Sequence, residues 1–240
     1  MEELQESFEK MSCNTGYCKN IYEAVRILLG SPYYKNKAVA SPVLHCTSHE
    51  KYIAYVLDKC GFTSVKKPKK CKRQDAIQWI EKPELASTVL ETGTYISQPF
   101  GTQNSPDFII KVHEKFILFL EAKSADNYKP QYNSGGIHRD FLYVFCSKKE
   151  NKTTIYLGKD IITSEIQQRI DKHIEEARKR DELLNTELQK LDIFHRGVSY
   201  YTRPMYTQKG EKSYTNYFLH KDKEIVEQNA LTWLEEKCNM

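Results

Sequence analysis

The spacing of apolar positions changes character twice along the chain. Between about Asn20 and Leu29, the residues Ile21, Tyr22, Val25, Leu28 and Leu29 recur at helical spacing, and Gly30, Ser31 and Pro32 then stop the helix. A second stripe, Tyr52, Tyr55, Val56 and Leu57, follows a cap at Thr47 or Ser48 and ends at Gly61. A shorter helical stretch from Asp75 to Glu81 must break near Pro83. The first third of the chain therefore predicts helices.

From Thr94 onward, short runs rich in β-branched and aromatic residues take over: Tyr95–Gln98, Asp107–Val112, Lys115–Ala122, Phe141–Cys146 and Thr153–Leu157. His113, Glu114 and Lys115 form a connection short enough for an antiparallel hairpin between the second and third runs. The third run, Phe116 to Leu120, is apolar on both faces, as a central strand covered by helices on each side would be. After Ser164 the pattern returns to helical, with Ile166, Ile170, Ile174, Ala177, Leu184, Leu188 and Leu191 on one stripe. Such a helix would cover the sheet or a partner subunit. Gly197 to Phe218 mixes tyrosines with basic residues, and Ile225 to Leu234 predicts a last helix. The class is α/β or α+β.

Composition sharpens this picture in three places. At 240 residues and 40% hydrophobic content, the chain can bury a core in one domain without a dividing linker. The formal charge of +4 is the small difference between 36 basic and 32 acidic residues, so anion binding has to come from local clusters. The densest is Lys66, Lys67, Lys69, Lys70, Lys72 and Arg73 around Pro68, which fits a phosphate-contacting loop, a solvated loop or a nuclear-import signal. The seven cysteines, Cys13, Cys18, Cys46, Cys60, Cys71, Cys146 and Cys238, contain no CxxC pair and follow no secretory signal. A reduced, cytoplasmic protein is the expectation, and no apolar run reaches the length of a membrane span. His45, Cys46 and His49 lack a second ligand pair at zinc-site spacing.

The chemistry concentrates on one predicted hairpin. Pro106-Asp107 opens one strand and Glu121-Ala122-Lys123 closes the next, with thirteen residues between Asp107 and Glu121. Side chains alternate along a strand, so Glu121 and Lys123 share a face and the hairpin returns Glu121 beside Asp107. Two carboxylates held together repel, and a divalent cation would compensate them. Carboxylate oxygens suit Mg²⁺, with the Ala122 carbonyl as a further ligand and Lys123 beside a reacting phosphate. A chance match to this bare pattern would occur in roughly one chain in twenty, and the strand context makes it more specific.

These residues, Ser105-Pro106-Asp107 and Glu121-Ala122-Lys123, resemble the signature of the PD-(D/E)xK nuclease superfamily, particularly type II restriction endonucleases, over about Tyr95 to Leu157. The resemblance implies a restriction endonuclease-like core, a central mixed β-sheet flanked by helices. It also implies Mg²⁺-dependent cleavage of double-stranded DNA leaving 5′-phosphates, and usually a homodimer. Asp107, Glu121 and Lys123 would be catalytic, with Asp107, Glu121 and Ala122 holding the metal. Members often add an acid from a preceding helix, a place open to Glu91, Glu84 or Glu81. The layout would be a single domain, with a helical part at 1–90, the catalytic core at about 91–160, and a helix with a DNA-recognition region at 161–240. Loops flanking the core supply candidate DNA contacts: Gln103 and Asn104 before Asp107, and Asn133, Ser134, His138 and Arg139 after Lys123, joined by Lys66, Lys67, Lys69 and Lys70. The alternatives are a repair or junction-resolving nuclease, or a non-catalytic DNA-binding protein with structural acids.

Overall fold

A computed structural model describes residues 16–35, 46–68, 71–102, 104–133 and 135–239. Cys13, His45, Lys69, Lys70, Gln103 and Ser134 lie outside the described residues. The centre is one six-stranded sheet in simple order, β1 (Thr63–Ser64), β2 (Thr94–Ser97), β3 (Phe108–His113), β4 (Phe116–Ala125), β5 (Leu142–Ser147) and β6 (Lys152–Leu157). Pairings β1–β2 and β4–β5 are parallel and the others antiparallel, so the sheet is mixed and helices flank it. The predicted hairpin is present as β3–β4, with a register shift between Lys111 and His113 where the turn begins.

Strand alternation divides the sheet into two faces. Leu118, Leu120 and Ala122 of β4 point to one side together with Phe108, Ile110, Leu142 and Val144. There they meet α1 (Tyr17–Leu29), α2 (His49–Lys59) and α6 (Lys223–Cys238), which bury Val25, Leu28, Ile53, Val56, Ala230 and Leu234. Ser48 caps α2 by accepting from the Lys51 N–H, as Ser or Thr at this position predicts. α1 and α6 are tied together here, with the Cys18 and Cys238 thiols each donating to the other's backbone carbonyl.

Ile117, Phe119, Glu121 and Lys123 point the other way, alongside Tyr143, Phe145 and Tyr156. The cover on this side is α3 (Arg73–Ile77), two single turns that bury Trp79 and Ala86, and the crossover 126–141 between the parallel strands β4 and β5. A fully buried lysine, Lys111, is satisfied there by the Pro83 carbonyl and Ser87 hydroxyl, so it serves as an internal tie.

The long helix α4 (Ser164–Leu191) meets the sheet over only a small part of its length. Among its residues only Ala177 is buried, and Ile170 packs half-buried against the cluster that contains Ile117, Phe119 and Tyr143. Its Ile166, Ile170 and Ile174 line a groove with Ile137 and the extended segment 202–208. The spacing of apolar residues predicted the helix correctly. It could not say which surface the stripe would meet. A four-residue helix, α5 (Lys212–Thr215), links this arm to α6, and no described helix is long and apolar enough to cross a membrane.

Candidate active site

Asp107 stands one step beyond the Phe108–Leu120 pair, so the antiparallel register sets it directly across from Glu121. Like charges directly opposite one another destabilise a sheet, and this pair persists because each carboxylate has a specific partner. The Asp107 Oδ2 accepts a hydrogen bond of 2.9 Å from the Ala122 N–H. Glu121 Oε1 accepts one of 2.7 Å from Lys123 Nζ, two residues on along the same face. Lys123 Nζ also lies over the Tyr132 ring, 6.0 Å from its centroid. The N–H and C=O of one strand residue share an edge, so the Ala122 carbonyl faces the Asp107 side, past the start of β3.

These partners do not balance the site. Glu121 is only 3% exposed, and its Oε2 is buried with no hydrogen-bond partner among the described residues. Burial and the facing Glu121 charge push the Asp107 carboxyl up to about 7, against the opposing influence of the Ala122 N–H and Lys123. Burial raises the Glu121 carboxyl as well, with Lys123 and Arg73 acting in the other direction. A cavity of about 200 Å³ opens over the pair, and its described lining is polar apart from Ala122. Glu50, from the first turn of α2, lines the same cavity and adds its charge to those raising Asp107. The site thus holds three acids against one lysine.

That imbalance is the fit test for a metal. Among the described residues no group of three or more His, Cys, Asp or Glu side chains is placed to hold an ion. A cation at this site would take its protein oxygens from Asp107, Glu121 and the Ala122 carbonyl, and the rest from water and substrate. Mg²⁺ is ordinarily held in that way, through one or two carboxylates with several waters retained. The unpartnered Glu121 Oε2 and the excess acidic charge fit such an ion.

The other sequence candidates divide into those the fold brings to the cavity and those it uses elsewhere. Asn104 and Asn133 line the cavity, along with Thr102 and Gln131. Lys67 lies 5.1 Å from the ring of Phe100, which places the described part of the basic segment beside the loop leading into Asp107, and Lys66 there is exposed. His138 has ring contacts within the protein. Its Nε2 accepts from Arg73, its backbone N–H donates to the Tyr143 hydroxyl, and its ring stacks on Phe141. Burial and the charges of Arg73 and Lys123 lower its pKa to about 4, which keeps it neutral and able to accept. Arg139 donates to the Ile162 carbonyl and ties the crossover to the turn before α4. Both hold the loop against the body, contacts that a polar loop sequence does not reveal.

Glu91 stands at the wrong end of the sheet for the additional acid. It precedes β2, whose first residue Thr94 pairs with Lys111, near the end of β3 remote from Asp107. Glu84 lies in the turn over Lys111, and neither it nor Glu81 lines the carboxylate cavity. The acid actually delivered is Glu50. The available signal was an acidic residue just after the Ser48 cap, where a helix N-terminus favours negative charge. Arg73 was also missed as an organiser: its Nε and Nη2 donate to the Ser105 carbonyl and hydroxyl at 2.8 and 3.1 Å, fixing the residue two before Asp107. Comparisons of the chain with protein-family models, curated proteins and solved structures each returned no match.

Proposed function

We propose that this chain is a Mg²⁺-dependent endonuclease that cleaves double-stranded DNA at a specific short sequence, in the manner of a type II restriction enzyme, leaving 5′-phosphate ends. The observation that carries the reading is the pairing of Asp107 with Glu121 at the ends of adjacent strands, with Lys123 on the same face and Glu121 Oε2 unpartnered. When bound, Mg²⁺ supplies the positive charge that polarises a scissile phosphate and acidifies an attacking water. Asp107, Glu121 and the Ala122 carbonyl would hold the ion, and the phosphate would enter the polar cavity beside them. Lys123 reorients from Glu121 to the phosphate oxygens and neutralises charge developing there. Glu50 lies at the cavity as an acceptor for the protons of an ordered water. Cutting both strands calls for two such centres, hence a homodimer.

The test is digestion of a mapped circular plasmid by the purified chain in Mg²⁺ and in EDTA, followed by sequencing of the ends. Discrete fragments with 5′-phosphates in Mg²⁺ alone are expected. Full-rate cleavage in EDTA would sink the metal mechanism. Nicking confined to branched substrates would point instead to a junction-resolving nuclease, and binding without hydrolysis in Mg²⁺ or Mn²⁺ to a non-catalytic DNA-binding protein.

A further inference from the structure

We propose that α4 and the extended segment 198–208 form the outer wall of a duplex-DNA cleft, in which Arg73, Arg178 and Arg203 receive backbone phosphates next to the one entering the carboxylate cavity. This inference rests on the nuclease reading and adds to it where the substrate lies.

The geometry begins with continuity. A second cavity of about 480 Å³ has Arg73, Asn104 and Gly135 on the body side and Arg178, Tyr201 and Arg203 on the arm side. Asn104 lines both this cavity and the carboxylate cavity, so a strand seated in one continues into the other. The wall is held in place. The Asn185 side chain bonds both the N–H and the C=O of Tyr200 at 2.7 and 2.8 Å, and Asp181 accepts from the Thr202 N–H. Tyr206 bridges to Tyr132 in the crossover, and Gly136, at φ +83°, lets its ring approach where a Cβ would meet it at 2.6 Å. The arm is therefore fastened to the loop that leaves the catalytic strand.

Charge gives the cleft its ligand. Arg178 and Arg203 are exposed and have no ion pair or hydrogen bond among the described residues. Of the two acids at this cleft, Asp181 and Glu182, the first is engaged by the Thr202 N–H, against three guanidiniums. Burial lowers the Arg73 pKa, and the Arg178 charge lowers it further, against the pull of Glu121, so two cations from separate elements repel across the gap. An anion between them relieves that repulsion, and guanidinium forks match phosphate oxygens. Segment 201–208 alternates exposed and half-buried residues, which leaves Tyr201, Arg203 and Met205 open to solvent. Tyr200 and Tyr201 are 55% and 71% exposed, and rings placed among cations suit sugar and base contact.

The experiment measures binding of a short fluorescein-labelled duplex of mixed sequence, in Ca²⁺, across a KCl series. Arg178→Ala/Arg203→Ala should bind at least about tenfold more weakly, and the slope of log K against log salt should fall by about 2. Arg178→Lys/Arg203→Lys should keep the wild-type slope. Independently of any variant, phenylglyoxal modification of the wild-type chain, read by mass spectrometry, should spare Arg178 and Arg203 when duplex is present. An alanine variant with wild-type affinity and slope, lysine variants as impaired as the alanine variant, or no protection by duplex would each overturn the inference while plasmid cleavage left the nuclease reading intact. So would a changed monomer–dimer equilibrium with unchanged duplex binding, which would make the arm a contact between copies. Wild-type chain that neither binds duplex nor cleaves plasmid would remove the nuclease reading itself.

Discussion

The two faces of the sheet are built from the same strands in opposite styles. On one, aliphatic side chains such as Leu118, Leu120 and Val144 lie under three helices. On the other, Phe119, Tyr143, Phe145 and Tyr156 lie under loops and single turns, and tyrosine hydroxyls find one another: Tyr132 with Tyr156 at 2.8 Å and with Tyr217 at 2.9 Å. Helices cover the first face continuously. Loop cover leaves an opening at the end of β4, and Glu121 and Lys123 point into it. The helix-covered aliphatic core lies on one side of β4 and the charged groups of the proposed centre on the other, an arrangement that period-two alternation makes available to a single strand.

The largest effect expected from breaking this division lies on the loop-covered side. Asp107→Ala, Glu121→Ala and Lys123→Ala should each reduce plasmid cleavage to background, about a thousandfold or more, since each removes a metal ligand or the charge beside the phosphate. In metal-free buffer Asp107→Asn should melt no lower than wild type, because it removes one of two facing carboxylates while keeping the acceptor for the Ala122 N–H. Adding Mg²⁺ should raise the melting temperature of wild type and leave that of Asp107→Asn unchanged. Near-normal turnover in any folded single variant would take that residue out of the proposed centre.

Leu118→Ala tests the opposite side of the same strand. Leu118 is fully buried in the aliphatic cluster, and its truncation should cost about 4 kcal/mol in urea unfolding, the lost transfer energy plus a cavity. Cleavage per folded molecule should not change. A loss of specific activity in the folded fraction would show that the two faces are coupled.

How much of this was legible in the sequence depends on how local the signal is. The β3–β4 hairpin and its three chemical residues were readable because spacing and alternation act within one short stretch. The C-terminal end of α1 and the cap of α2 were readable for the same reason, whereas α1 starts at Tyr17, ahead of the Asn20 that the apolar spacing indicated. Glu50 and Arg73 were not, because their roles depend on where α2 and α3 dock, and docking is decided by contacts among residues far apart in the chain. The stripe on α4 was read correctly as amphipathic, but its groove with segment 202–208 was not foreseen, since a stripe carries no label for the surface it meets. The polar loop after Lys123 hid its internal contacts in a related way: nothing in its sequence pairs His138 with Arg73 or Arg139 with the Ile162 carbonyl.

The aliphatic face contains one polar group whose titration can be followed. His49 is buried, its Nε2–H donates to the Val144 carbonyl at 3.2 Å, and its Nδ1 has no partner among the described residues. Burial lowers its pKa to about 4, against small opposing contributions from the Val144 carbonyl and Glu50. An unfolded chain protonates this imidazole below about 6.5, which the folded chain resists until about 4. The contribution is therefore complete above pH 6.5, falls as pH drops from there to 4, and amounts to up to roughly 3 kcal/mol. Urea midpoints measured across that range should fall for wild type and fall less steeply for His49→Phe. Parallel slopes for the two would show that His49 is protonated at no cost.

The smallest effect separates the two styles of packing most directly. Tyr156→Phe keeps the ring, which stacks on Tyr143 at 5.2 Å, and removes only the hydroxyl. Tyr132 retains Tyr217 as a partner, so no buried donor is orphaned and the cost should be about 1 kcal/mol. Val144→Thr performs the reverse operation on the aliphatic face: the side chain keeps nearly the same shape but brings a hydroxyl among Leu120, Leu142 and Ile155. That change should cost about 2 kcal/mol, because the transferred hydroxyl leaves water without a partner awaiting it. Urea unfolding of both variants at pH 7.5 compares them on one scale, and the difference between them is the quantity of interest. Equal costs would mean that the hydroxyl network contributes as much as a misplaced hydroxyl removes, and the two faces would then differ in composition without differing in tolerance.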